Sequence, residues 1–293
     1  MSWSRREFGL GALAGLGAAG RARAAIDSTI AGVRIGNMTY SFRDMPLDRA
    51  IEAQARLGIG FAELDHGHVE RELKLGRDAA GRRKLRAWRL SPAAEAEYKA
   101  IRERFRRAGV PLWGLIYTVR DDFTEPEIER GFELARALGV GVVTGSSTVS
   151  VIPRVAPFAE KHGMPYGVHG HSNVTDPNEF ATPESFAKAL AVSPWIRANL
   201  DIGHFFAAGY DPVQWIRQNH TRISNIDLCD RKKNQGPQVP WGEGDTPLRD
   251  VLLLMKREGY SFPATIQYEY KGEADSLTEV KRCFDYCKRV LAV

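Results

Sequence analysis

The chain has 293 residues, 43% of them hydrophobic and 26% charged. That balance excludes a disordered, collagen-like or multi-span membrane protein, and the length is ample to bury a core. The formal charge of +5 invites a polyanion partner, but Arg5, Arg6, Arg21 and Arg23 against Glu7 contribute +3 of it; beyond residue 25, 37 basic residues face 35 acidic ones, and no nucleic-acid partner is indicated.

The first 25 residues read as a targeting segment. Ser4-Arg5-Arg6-Glu7-Phe8 precedes an apolar, Gly/Ala-rich run to Gly20, and Ala22-Arg23-Ala24 closes it. The run is too short for a membrane core of about 30 Å, which needs about 20 residues. Its basic front and small-residue end fit a cleavable signal. The paired arginines resemble a twin-arginine export signal, with Gly9 where a larger apolar residue is usual; a plain secretory signal is the alternative. This reading implies a signal peptide over 1–25, a mature domain over 26–293 without a membrane span, export machinery as the precursor's partner, and a periplasmic location. Cys229, Cys283 and Cys287 allow at most one pair. The last two lie one helical turn apart, as core positions would, and no C-x-x-C spacing supports structural zinc.

Beyond the leader, short apolar runs alternate with amphipathic stretches. Strands are predicted at Val33–Phe42, Phe61–Leu64, Leu112–Tyr117, Val140–Thr144, Tyr166–Val168, Ile196–Leu200, Ile223–Leu228 and Ala264–Tyr268. Helices are predicted near 46–57, 91–108, 125–138, 151–162, 182–191, 211–218, 247–258 and 275–290. Ser91-Pro92, Thr182-Pro183, Asp211-Pro212 and Thr246-Pro247 supply N-cap and first-turn chemistry, and Gly58, Gly109, Gly139, Gly163 and Gly259 supply helix ends. Eight strand–helix units in about 255 residues predict an α/β fold, a single (β/α)8 TIM barrel after the signal segment. A doubly wound sheet is the runner-up, but no Gly-x-Gly-x-x-Gly follows an early strand. The basic stretch Arg71–Arg89 is a solvated helix or a lid over the barrel mouth.

Polar residues gather where barrel active sites are built, at the C-terminal ends of strands. Glu63-Leu64-Asp65-His66-Gly67-His68 ends the second strand, and His169-Gly170-His171 the fifth. Asp201-Ile202-Gly203-His204 ends the sixth, Asp227-Leu228-Cys229-Asp230-Arg231-Lys232 the seventh and Glu269-Tyr270-Lys271 the eighth. Carboxylates converging on one mouth repel each other unless a cation sits between them. The oxygen and imidazole donors suit one divalent ion: Mn²⁺, Mg²⁺, Co²⁺ or Zn²⁺.

The run Asn199–His204, then Asp230-Arg231 with Val239-Pro240-Trp241-Gly242-Glu243-Gly244-Asp245, then the strand reaching Glu269, resembles the xylose isomerase-like barrels, the sugar phosphate isomerases and epimerases, over roughly 34–290. The resemblance implies a metal held by glutamate on strand five, aspartate on six, histidine on seven and glutamate on eight. Asp201 and Glu269 match that pattern, whereas His169 stands for the glutamate and Asp227 for the histidine. The implied set is His169, Asp201, Asp227 and Glu269, two ligands exchanged with the overall donor count kept. The exchange removes one of the two glutamates that epimerases of the family use as paired bases. Glu269 then acts alone, or His171 or Glu63 supplies the second acid/base group.

The expected function is a metal-dependent sugar isomerase or epimerase acting on a free sugar or sugar derivative by proton abstraction next to a carbonyl. His204 would hydrogen-bond a substrate hydroxyl or carbonyl. Trp113 and Trp241, with Tyr40, Phe42, Phe205 and Tyr270, are candidates to stack on the sugar, and Arg231 or Lys232 to hold an anion. Export favours an unphosphorylated substrate. The alternatives are a lyase or hydratase acting on a 3-keto-glycoside by the same proton abstraction, and a non-catalytic carbohydrate-binding barrel. A nuclease of the endonuclease IV type is disfavoured by the near-neutral mature charge.

Overall fold

The computed structural model describes residues 23–76 and 78–293. Nearly all of the expected leader lies outside them. Eight parallel strands follow in order: β1 (Val33–Met38), β2 (Ala62–Asp65), β3 (Leu112–Ile116), β4 (Val143–Gly145), β5 (Tyr166–His169), β6 (Ile196–Asp201), β7 (Ile223–Leu228) and β8 (Ala264–Ile266). Each pairs with the next, and β8 returns to β1 through Ile35↔Ala264, Gly36↔Thr265 and Asn37↔Ile266, which closes the (β/α)8 barrel. A two-residue strand, Thr29–Ile30, lies antiparallel to the start of β1, at the end of the barrel away from the mouth.

Eight helices alternate with the strands: α1 (Leu47–Leu57), α2 (Pro92–Ala108), α3 (Glu125–Leu138), α4 (Ile152–His162), α5 (Pro183–Val192), α6 (Pro212–Asn219), α7 (Leu248–Glu258) and α8 (Ser276–Leu291). The five glycines predicted to end helices do so at φ between 59° and 83°, where a side chain would be strained. Thr182 and Asp211 cap as expected, with proline in the first turn, whereas Ser91 occupies its N-cap position but gives its hydroxyl to the Trp88 carbonyl instead of capping the helix. The fourth start differs. Pro247 is itself the cap and α7 begins at Leu248, because the Thr246 hydroxyl is drawn into a loop, where it accepts from the Arg231 backbone N–H.

The strands alternate with period two between very different surroundings. Leu64, Leu115, Val168 and Ile226 are buried with the helices' Ile51, Ile101, Ile128 and Leu252 in the apolar core. Burying each such side chain contributes about 1.5–3 kcal/mol. Intervening positions carry Glu63, Thr144, Asn225, Asp227 and Thr265, all with no exposure. Parallel strands buried on both faces are ordinarily apolar throughout; here the barrel interior is polar, and the polarity leads to the mouth.

The basic stretch after β2 forms a helix over Ala79–Leu90 that is pinned to the flank. Arg89 forks onto Glu70 at 2.6 and 2.8 Å, and Arg86 onto Glu127 at the start of α3. None of its residues lines the mouth, so it is a flanking helix and not a lid. No helix of the described residues is long and apolar enough to cross a membrane. The three cysteines are free and buried.

Candidate functional site

A cavity of about 440 Å³ opens at the C-terminal ends of the strands, and Asp65, His169, His171, His204, Asp227 and Glu269 line it. His169 is the last residue of β5, and its Nδ1 lies 2.9 Å from Asp227 Oδ2. Asp227 Oδ1 accepts from the Asn225 side chain at 3.0 Å. His171 follows Gly170, where a Cβ would lie 2.8 Å from the Phe180 carbonyl oxygen, so only glycine allows the chain through. Its Nδ1 meets Glu179 at 3.1 Å. His204 rides on a short helix, Ile202–Ala207, that Asp201 caps by accepting from the His204 backbone N–H at 2.7 Å. At Gly203 a Cβ would lie 2.3 Å from Cys229 Sγ, which explains the glycine within Asp-Ile-Gly-His. The three imidazole centroids stand 5.2, 5.4 and 6.4 Å apart.

Burial and charge split these imidazoles. Burial lowers His169, but the hydrogen bond and charge of Asp227, with Asp201 and Glu269, outweigh it and lift the ring to about 9. Burial, joined by the charges of His169 and Arg231, overcomes Asp201 and brings His204 down to about 4. His171 is lowered by burial and then by His169. Asp227 is raised although His169 is its partner, because burial of the carboxylate exceeds the attraction. One imidazolium among neutral rings is the consistent state of the mouth.

The other expected residues are placed elsewhere. Glu63 is fully buried in the barrel interior, bonded to Thr144 Oγ1, and does not line the cavity; burial and then Asp227 lift it to about 8. Trp113 is the second residue of β3, toward the wrong end of the strand for the mouth. Trp241 packs edge-on against Tyr286 of α8 and lies outside the cavity. Of the six aromatics considered for a sugar face, only Tyr40 lines the cavity. Arg231 is spent on protein partners: the Gly236 carbonyl at 3.0 and 2.7 Å, Ser172 Oγ at 2.9 Å and His204 Nδ1 at 2.5 Å. His66 and His68 are tied to backbone carbonyls. Asp230 gathers the backbone N–H groups of Gly242, Gly244 and Thr246, folding the Gly-Glu-Gly-Asp loop. From that loop Gln238 donates to Glu269 Oε2 at 2.6 Å.

Several lining residues escaped the sequence reading, Thr118, Arg120 and Ser146 among them, as did two amides, Asn199 and Gln267. Each amide lies two positions before a singled-out acid, Asp201 or Glu269, so strand alternation carried the signal. Gln267 extends β8 by donating its backbone N–H to Leu228, placing an amide at the end of the eighth strand.

The four side chains implied as metal ligands do not fit a shared ion in this arrangement. His169 and Asp227 bond to each other, Glu269 holds Gln238, and Asp201 Oδ1 accepts from the His204 N–H and Cys229 Sγ. Of these four side chains only Asp201 has a buried atom without a partner, its Oδ2. Among the described residues no three His, Cys, Asp or Glu side chains are grouped so as to hold a metal.

The xylose isomerase-like TIM barrel family matches residues 51–289. The chain belongs to that family. Over 119 residues it is 25% identical to L-ribulose-5-phosphate 3-epimerase UlaE of Escherichia coli, covering 39% of this chain and 42% of that protein; the match thus spans about two fifths of the curated relative. Among solved structures, a sugar phosphate isomerase/epimerase from Parabacteroides distasonis is similar at TM-score 0.63 and 17% identity, over 90% of this chain and 96% of that one. The IOLI protein with a bound zinc atom reaches 0.67 at 14% identity, over 89% and 98%. The probable 3-DHS dehydratase AsbF of Bacillus anthracis reaches 0.63 at 15% identity, over 87% and 99%. At these identities the solved structures speak for the fold alone.

Proposed function

We propose that this family member is an enzyme that isomerises or epimerises a free sugar or sugar derivative by abstracting a proton next to a carbonyl. The observation that carries the reading is an acid and a base opening on one cavity: the His169 imidazole held by Asp227, and Glu269 held by Gln238. Glu269 takes the proton from the carbon beside the carbonyl, and the C–H electron pair moves into a carbon–carbon double bond. The carbonyl oxygen takes a proton from His169 Nε2, which gives an enediol. Return of the proton to the former carbonyl carbon, as His169 takes back a proton from the hydroxyl on the neighbouring carbon, isomerises the sugar; delivery of a proton by way of His171 to the opposite face of the carbon that lost it, as His169 takes back the enediol proton, epimerises it. The charge that develops on oxygen meets a positive imidazolium inside the mouth, where electrostatic stabilisation is strongest. The exported location expected from Arg5-Arg6 supports a substrate without phosphate.

A second reading rests on the departure at His169. With one carboxylate and one imidazole in place of two glutamates, the same proton abstraction can expel a substituent from the next carbon, which is lyase chemistry on a 3-keto-glycoside. Incubation with a panel of ketoses and 3-keto-glycosides in D₂O separates the outcomes. Deuterium at the carbon beside the carbonyl, lost in Glu269→Gln, supports isomerase chemistry, and released aglycone supports the lyase. A protein that binds these sugars with neither result is a carbohydrate-binding barrel, and the catalytic reading is then wrong.

A further inference from the structure

Apart from Asp65 on β2, the acids and imidazoles that line the mouth stand at or near the ends of β5 to β8. The wall where β3 and β4 end carries none of them. In the closed ring β3 lies opposite β7 and β4 opposite β8, so this wall is the part of the mouth farthest from Asp227 and Glu269. It presents Thr118, Arg120 and Ser146 to the cavity. The other polar side chains of the same two loops are engaged with the protein. Asp121 accepts from Thr148 at 2.9 Å and from Ser150 at 2.6 Å, and Asp122 accepts from Arg86 at 2.9 Å. The Ser147 hydroxyl is held between the Val119 carbonyl and Tyr166. By contrast, the Arg120 guanidinium and the Ser146 hydroxyl make no hydrogen bond or ion pair among the described residues. Thr118 Oγ1 accepts the Ser146 backbone N–H at 3.2 Å, which leaves its own O–H to donate. Both acids that follow Arg120 are thus bound elsewhere, and one cation and two hydroxyl donors face the same open space.

We propose that this wall is an anion subsite in which Arg120, with the Thr118 and Ser146 hydroxyls, holds a substrate carboxylate, so that the substrate is a sugar acid. The proposal rests on the reading above that the mouth binds a sugar. A guanidinium presents paired N–H groups that match the two oxygens of a carboxylate. One cation balances the single charge of a carboxylate but not the charge of about −1.5 to −2 on a phosphate monoester. Barrel sites for phosphate are commonly built after the seventh and eighth strands with backbone N–H groups at a helix start; here the donors are side chains after the third and fourth. A substrate held this way has its direction set. Its carboxylate lies at the β3–β4 wall, and the carbon beside its carbonyl faces His169 and Glu269 across the cavity of about 440 Å³. The reverse orientation brings the carboxylate against Glu269, where like charges repel.

D-Glucuronate, D-glucose and D-glucose 6-phosphate share a skeleton and differ in ending on a carboxylate, a hydroxyl or a phosphate. Calorimetric titration of each, with the galactose series alongside, tests the subsite without turnover. The wild type is expected to bind the uronate about 10- to 100-fold more tightly than the neutral sugar, the worth of hydrogen bonds to a charged group. Arg120→Met is expected to bring the two within about threefold, which hydroxyl hydrogen bonds alone supply. Arg120→Lys keeps the charge without the fork and should retain part of the preference. Because Arg120 bonds to no described residue, both variants are expected to melt with the wild type. Neutral sugars bound as tightly as their uronates overturn the subsite and leave the sugar reading standing, and so does a preference that survives in Arg120→Met. Tighter binding of the phosphates overturns the carboxylate assignment. D-Lactate bound by the wild type and lost in Arg120→Met, with no sugar bound, sinks the sugar reading while the anion subsite remains. Silence from every probe rejects both.

Discussion

At the residue scale the pair His169 and Asp227 explains why a family site departs from its pattern without leaving a buried charge exposed. A carboxylate buried alone costs several kcal/mol, and Asp227 is wholly buried; the imidazole opposite supplies its counter-charge at 2.9 Å. The two exchanged positions therefore satisfy each other instead of a common ion. Reversing both substitutions tests this. The double variant His169→Glu with Asp227→His restores the order of ligands that the sequence resemblance implies. It is expected to bind Mn²⁺ or Zn²⁺ at least about tenfold more tightly than the wild type or either single variant, comparable to the effect of restoring a metal site's supporting contacts. Calorimetric titration of the four proteins reads it directly, and equal affinities would show that these positions never face one ion.

At the element scale most of the architecture was legible because it is written in local chemistry. Gly109 must end α2 because its φ is +74°, and Thr124 must begin α3 because its hydroxyl and Glu127 close a capping box. Neither needs a distant partner. The errors arose where tertiary contacts decide. Trp113 looked close to a strand end in the sequence, but β3 runs on to Ile116 before it reaches the mouth. Arg231 looked like a free cation, and nothing local announces that Gly236, Ser172 and His204 converge on it. The Gly-Glu-Gly-Asp loop was recognised as a motif, while its cause, the buried Asp230 carboxylate holding three backbone N–H groups, appears only in three dimensions. Asp230→Ala leaves those donors unpaired and is expected to cost about 2–4 kcal/mol. Because the same loop carries Gln238 to Glu269, kcat should fall along with the melting temperature. A variant that melts earlier with kcat intact would detach the loop from the chemistry.

At the scale of the whole molecule, a polar interior makes the barrel's stability depend on pH. Glu63 moves from 4.5 in the unfolded chain to about 8, driven by burial and then by Asp227, so the fold keeps a proton the unfolded chain has released. Its contribution is complete below pH 4.5 and is lost as pH rises through 8. His169 behaves alike, complete below 6.5 and lost through about 9, as Asp227 outweighs its burial. His204 has the opposite sign: burial favours its neutral ring, so its contribution is present above 6.5 and lost as pH falls through about 4. Between pH 4.5 and 6.5 the contributions of Glu63 and His204 oppose each other. Above 6.5 the losses from Glu63 and His169 add, each at about 1.4 kcal/mol per pH unit, so stability is expected to fall by up to about 4 kcal/mol between pH 6.5 and 8. Glu63→Gln keeps an acceptor for Thr144 and cannot ionise. It is expected to halve that slope and to be more stable than the wild type at pH 8, with the advantage vanishing near pH 4.5. Urea unfolding of both proteins across pH 4.5–9 measures it; parallel curves would mean that Glu63 ionises as easily in the barrel as in water, and that the polar interior is wetter than its burial implies.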